Sequence, residues 1–253
     1  MNKSQLMGFS ITISALAFAP MGPNELIAGE SFRAGPGQVA LIELYTSEGC
    51  SSCPPAEEWL SALQDRAGLW REFVPVVFHV SYWDHLGWKD PSSSKEFTAR
   101  QTAQAKEWGS SSVYTPCFVR NGREWKPGHD TLGAGAPVGV LSLERTEPHR
   151  WRIEFHPEAA LQSGQIEAHV ALLAGGLTSD VRAGENTGRR LAHDFVVYAV
   201  KDVALTIDDR GQLAAELELE AGPPASAPRR AIAAWVTPAG EMKPVQAVGG
   251  WLP

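Results

Sequence analysis

The sequence predicts an α/β domain with a central mixed sheet, followed by an all-β, sandwich-like domain. Between Val39 and Trp125, apolar strand patterns alternate with helical ones. Beyond Pro137 the periodicity becomes two, in short runs separated by Gly, Pro, Asn and Asp. Between these regions, Gly128–Pro137 is rich in Gly and Ala and reads as a boundary.

The N-terminus reads as an export signal spanning residues 1–29. Lys3 supplies a positive start, Leu6–Ala19 is mostly apolar, and small residues near Ala17-Phe18-Ala19 or Ile27-Ala28-Gly29 suit cleavage. An uncleaved anchor is the alternative, and only then would the chain meet a membrane. The run is shorter than the roughly 20 residues a span needs. Glu30–Gln38 reads as a linker. The α/β domain, 38–130, begins with a strand at Val39–Tyr45 and a helix at Pro55–Ala67, whose Ala56, Trp59, Leu60 and Leu63 form an apolar face. A strand at Val74–Val80, a helix at Lys95–Trp108 and strands at Val113–Arg120 and Glu124–Lys126 complete it. Asn121-Gly122 between the last two is a hairpin signal. In the second domain, 138–253, the expected strands are Val138–Glu144, Trp151–His156, Glu167–Leu173, Phe195–Val200, Gln212–Glu220, Ala231–Thr237 and Pro244–Gly249.

With 253 residues, 43% hydrophobic and 20% charged, the chain has ample material for a core. A net charge of -7 and the lack of any Lys/Arg run argue against a nucleic-acid partner. Only 3 cysteines are present, too few for a disulfide scaffold. Two of them form Cys50-Ser51-Ser52-Cys53, where a strand gives way to a helix. Thiols two residues apart can close and reopen a small ring, and a helix N-terminus favours the thiolate of the first. Cys50 is therefore the candidate attacking thiol and Cys53 the resolving one. Pro54 and Pro55 fit a first helical turn, where their missing N–H groups have no intrahelical partner. A permanent local disulfide, or half of a zinc site, fits the same residues.

Tyr114-Thr115-Pro116 opens a later strand. We expect a cis bond at Thr115–Pro116, exposing backbone that pairs with an extended partner held against Cys50. A trans proline at a strand edge is the plain alternative. Tyr82 and Trp83, after a strand end, would wall a groove for such a polypeptide, or fold back as local core.

Tyr45-Thr46-Ser47-Glu48-Gly49-Cys50-Ser51-Ser52-Cys53-Pro54-Pro55-Ala56, His79–Asp90, Arg100-Gln101, Tyr114-Thr115-Pro116 and Gly184–Arg189 together resemble domain-of-unknown-function family 1223. That family comprises exported bacterial proteins placed among the thioredoxin-like proteins. The resemblance implies a thioredoxin-like domain followed by a β domain, in a bacterial periplasm, without implying a reaction. Cys117 stands where the family usually has Gln, which makes it either an added redox partner or a buried inert thiol. Similarity to thioredoxin-like sites also implies that Glu43, if buried, takes the proton of the second thiol.

The function expected from these residues is thiol–disulfide exchange with protein thiols or disulfides, through Cys50, Cys53 and Glu43, with Thr115, Pro116, Tyr82 and Trp83 binding substrate and no cofactor. The alternatives are a copper or zinc carrier using Cys50, Cys53 and His79, and a non-catalytic binding module with a static disulfide.

Overall fold

A computed structural model of the chain describes residues 30–128, 132–158, 165–219 and 227–253. The expected export segment, 1–29, lies outside the described residues. The strands are β1 (Ser31–Arg33), β2 (Ala40–Thr46), β3 (Phe73–Val80), β4 (Ser93–Ser94), β5 (Cys117–Arg120), β6 (Arg123–Glu124), β7 (Gly139–Glu147) and β8 (Arg150–Pro157) in the first part of the chain. They continue with β9 (Ile166–Gly175), β10 (Leu177–Asp180), β11 (Arg190–His193), β12 (Val196–Ala204), β13 (Thr206–Ile207), β14 (Leu213–Glu218), β15 (Arg229–Pro238) and β16 (Gln246–Leu252). Two α-helices occur among the described residues, α1 (Pro54–Ser61) and α2 (Lys95–Glu107).

The fold class differs from the expected one. Among the described residues there is no clear thioredoxin-like α/β layer flanked by helices, and only two short α-helices occur. Strands dominate, and a nine-stranded mixed sheet runs through both halves in the order β16-β15-β9-β12-β3-β2-β5-β6, with β4 also on β3. The seam is the parallel pairing of β12 with β3, at Val196 opposite Val77, reinforced by the Val77 N–H donating to the Phe195 carbonyl at 2.9 Å. All eight residues of β3 (Phe-Val-Pro-Val-Val-Phe-His-Val) are buried, so it needs a neighbour on each side. β2 takes one edge and β12 the other. A period-two pattern shows that a strand exists but not which strand lies beside it.

A second, five-stranded sheet, β1-β7-β8-β14-β13, covers part of one face. Trp151, Ile153 and Phe155 alternate with outward Arg152 and Glu154 along β8, and join Trp235, Val236 and Ala247 of the large sheet in one apolar cluster. Around β2 and β3 the large sheet has two dissimilar faces. Ala40, Ile42, Leu44 and Val77 pack with Ala56 and Leu60 of α1. Leu41, Tyr45, Val76 and Phe78 pack with Phe97 of α2. The expected hairpin forms between β5 and β6, with positive φ at both Asn121 (49°) and Gly122 (75°), as a two-residue turn of that kind requires.

Each helix has a readable start. Pro54 and Pro55 occupy the first turn of α1, and the chain tightens into a 3-10 turn at Ala62–Asp65 after it. The Ser94 side chain caps α2 by accepting from the Glu96 N–H at 3.0 Å. No helix among the described residues is long and apolar enough to cross a membrane.

Candidate functional site

The cysteine turn joins β2 to α1. The Cys50 N–H donates to the Ser47 carbonyl, the Cys53 N–H to that of Cys50, and the Glu57 N–H to that of Cys53. This geometry brings the Cys50 and Cys53 α-carbons to 5.5 Å, with their sulfurs disulfide-bonded. Ser51 and Ser52 are exposed, whereas Cys50 is 1% and Cys53 0% exposed. Helix α1 offers less to a thiolate than its position suggests. Pro54 and Pro55 have no N–H, and the N–H groups of Ala56 and Glu57 are both taken by the Cys53 carbonyl. The Ser52 hydroxyl lies 3.4 Å from Cys50 Sγ.

What clamps the turn comes from far along the sequence. β10 and β11 form an antiparallel hairpin, and its loop lies across the cysteine turn. Asn186 Nδ2 donates to the carbonyls of Glu48 and Cys50, each at 2.9 Å. Glu185 Oε2 accepts from the Ser51 N–H at 2.9 Å and its hydroxyl at 2.8 Å, which holds the Glu185 carboxyl below its usual range. Arg189 in turn donates to Asn186 Oδ1. The family resemblance includes Gly184–Arg189, but the sequence pattern alone gives this segment no role.

The remaining expected residues divide between the two sheet faces. The Thr115–Pro116 bond is cis and sits one step beyond the Tyr45–Cys117 pair, level with the residues leading into the cysteine turn. Trp83 connects the two features. Its Nε1 donates to Thr115 Oγ1 at 2.8 Å, and its Cβ would lie 2.8 Å from any Cβ added at Gly49. Tyr82 and Trp83 are half-buried and pack on the core. Tyr114 beside them is exposed.

Glu43 is buried, but it lies on the α2 face, away from the cysteine turn. Arg100 donates to its Oε1 from Nη2 at 2.7 Å and from Nε at 3.2 Å. The structure therefore does not bring Glu43 to the sulfurs. Cys117 is buried on that same face beside Tyr45. Burial pushes its thiol up to about 11.

The cysteine side has other acids. Glu57 of α1 is buried and bonded to two partners, Thr46 Oγ1 at 2.6 Å and His193 Nδ1 in a very short contact. His193 Nε2 meets Glu48 Oε1 at 3.1 Å, and Glu48 Oε2 accepts from Trp88 Nε1 and Ser179 Oγ. His79 Nδ1 meets Asp90 Oδ2 at 2.7 Å, and that oxygen also accepts from the Glu48 N–H at 2.9 Å. Burial pulls His193 down, yet its hydrogen bonds to Glu48 and Glu57 and their charges outweigh this and push it up to about 10. His79 behaves likewise, with burial opposed and outweighed by Asp90. Burial opposes ionisation of Glu57 and Asp90, but their histidine partners hold both carboxyls below the usual range. His79 is grouped with Glu57 and His193, rather than with the sulfurs as the carrier alternative requires.

Sequence reasoning missed Glu57 and His193. A signal for Glu57 was present, since Cys53, Ala56, Glu57 and Leu60 follow the spacing of one buried helical stripe, with an acid in the middle.

Fold and site together define a β-dominated protein with a disulfide-bonded Cys-x-x-Cys turn, clamped by a distant hairpin loop above a buried histidine–carboxylate network. The chain belongs to the family described as protein of unknown function (DUF1223), whose model matches residues 41–237. It is similar to a protein from Agrobacterium tumefaciens known from an X-ray crystal structure, at 25% identity over 85% of this chain and 94% of that one, with a TM-score of 0.57. It is also similar in fold to HBP35 of Porphyromonas gingivalis, at 17% identity over 87% of this chain and 76% of that one, with a TM-score of 0.62. Among curated proteins, none matches.

Proposed function

We propose that the chain carries out thiol–disulfide exchange through Cys50 and Cys53 on exported protein substrates, in the periplasm of a bacterium. The observation that carries this reading is the Cys50–Cys53 bond across a turn whose two intervening serines face solvent. In the reducing half-reaction of a substrate, the Cys50 thiolate attacks a substrate disulfide and expels one substrate thiolate. Cys53 then attacks the mixed disulfide, releasing the second thiolate and closing the Cys50–Cys53 bond. Two electrons pass to the substrate, and its thiolates take up the two protons the cysteines lose. The reverse sequence oxidises a dithiol.

Access runs through the hairpin loop. Glu185 must release Ser51, and Asn186 must release the Cys50 carbonyl, before an incoming sulfur can line up with Cys50. Trp83, Tyr82, Thr115 and Pro116 then border the opening, where an extended polypeptide would lie. A Cys53→Ser variant of the full chain should trap mixed disulfides through Cys50. Capture no greater than that of a Cys50→Ser/Cys53→Ser variant would overturn the proposal.

A second reading, a binding module with a static disulfide, is favoured by the scarcity of donors around Cys50. A thiolate with no free helix N–H is poorly stabilised, which makes the disulfide harder to reduce. A reduction potential below about -300 mV, with no trapped partner, would select this reading.

A further inference from the structure

We propose that Glu57, His79 and His193 form a binding site for one divalent transition-metal ion of the zinc type, buried beneath the cysteine turn. One ligand atom from each of the three residues lies within 4.8 Å of the others, and all three residues are buried. His79 is 0% exposed, and among the described residues its Nε2 has no hydrogen-bond partner. The His79 and His193 rings meet edge to face with centroids 5.1 Å apart, and Asp90 takes His79 Nδ1, which leaves Nε2 as the nitrogen this ring can offer.

The pattern around the three residues is what a metal centre uses. Each candidate ligand has its other polar atom held by an outer partner. Asp90 holds His79 Nδ1, Glu48 holds His193 Nε2, and Thr46 holds Glu57 Oε1. These contacts leave His79 Nε2, His193 Nδ1 and Glu57 Oε2 as the converging set. Metal-bound histidines characteristically give their second nitrogen to a carboxylate, which fixes the tautomer and turns the ring. The outer acids are themselves anchored, Glu48 by Trp88 and Ser179 and Asp90 by the N–H groups of Glu48 and Ser92.

A proton shared by Glu57 and His193 is the competing occupant. It satisfies that pair but leaves His79 Nε2 buried without a partner, which is costly. A cation uses all three atoms. Two imidazoles and a carboxylate suit zinc and related first-row ions, and tetrahedral ligands about 2.0–2.1 Å from such an ion stand roughly 3.3 Å apart. Glu57 and His193 would separate slightly and His79 would approach. A cavity of about 140 Å³ is lined by Glu57, His193, Pro54, Glu58 and Arg190 among others, so two of the three candidate ligands border open space while His79 closes the site from the inner side. The site is independent of the thiol chemistry, since no sulfur is needed.

The test uses the full chain with Cys50 and Cys53 oxidised and Cys117→Ser, titrated with Zn²⁺ by calorimetry and with Co²⁺ by visible absorption. One ion per chain, without thiolate charge-transfer absorption, is expected. Asp90→Asn should weaken Zn²⁺ binding by about 10–100-fold, as loss of an outer partner does. His79→Gln should weaken it further, and near-UV circular dichroism would verify its fold. Lack of saturable binding by the oxidised chain overturns the site, as does unchanged affinity in folded His79→Gln. If His79→Gln does not fold, Asp90→Asn decides: affinity equal to that of the parent overturns the site. A Cys50→Ser/Cys53→Ser variant that still binds one ion supports the assignment, and loss of binding there overturns it.

Discussion

The large sheet buries an acid on each face around β2 and β3, and the two surroundings are built differently. On the α2 face, Glu43 meets Arg100, whose guanidinium also lies 5.0 Å from the ring centres of Phe78 and Trp235. Here one acid and one base are enclosed by aromatic faces. On the α1 face, Glu48, Glu57 and Asp90 share two histidines and several neutral donors, and one imidazole nitrogen is left over. The Glu43–Arg100 pair is closed in charge, although Glu43 Oε2 has no hydrogen-bond partner among the described residues, because the guanidinium already neutralises the carboxylate. An array with an unmatched nitrogen suits the reception of something from outside. Burial of an acid is therefore a poor guide to chemistry, whereas the unmatched atom separates the two faces: a carboxylate oxygen beside a guanidinium on one, an imidazole nitrogen among acids on the other.

The largest effect should come from opening the closed pair. Arg100→Ala leaves Glu43 as a buried lone carboxylate and should destabilise the fold by about 3–5 kcal/mol in urea denaturation. Replacing both partners by Glu43→Gln and Arg100→Met should recover most of that loss, because no charge is left uncompensated. An unchanged rate of substrate-disulfide reduction by this double variant, with Cys53 in place, would show that Glu43 is not the proton acceptor for Cys53.

On the other face, Asn186→Ala removes the shared donor of the buried Glu48 and Cys50 carbonyls. It should cost about 1–3 kcal/mol and speed reduction of the disulfide by dithiothreitol, because the clamp no longer holds. An unchanged reduction rate would mean that the loop does not control access. Ser94→Ala, at the start of α2, should cost about 1 kcal/mol and leave disulfide reactivity untouched.

The smallest effect concerns Cys117. With its thiol at about 11 and its side chain buried, it should resist iodoacetamide at pH 8 until the chain is unfolded. Labelling of the native protein at a rate comparable to a free thiol would return Cys117 to the list of redox partners.

Local signals were legible, and long-range partnerships were not. The cysteine turn, the start of α2 at Lys95, the Asn121-Gly122 hairpin and most second-half strands follow from residue types a few positions apart. The β10–β11 hairpin escaped because its first strand, Leu177-Thr178-Ser179-Asp180, is short and polar-rich, with little apolar alternation to mark it. Its loop acquires meaning only when Asn186 is set against Cys50, a contact with a sequence separation of 136. His193 was invisible for the same reason, since its two acids lie in β2's exit turn and in α1. The shared sheet also depends on a distant choice of neighbour, made by Val196 and Val77.

That seam has a practical consequence for anyone dissecting the chain. A fragment ending near Pro137 would lose β12 and with it the flank of β3 at Val77, baring part of a Val- and Phe-rich strand next to the short stretch that β4 covers. Such a raw edge recruits other chains. The severed first half should precipitate rather than behave as a miniature of the whole, so the cysteine turn is best studied in the intact polypeptide.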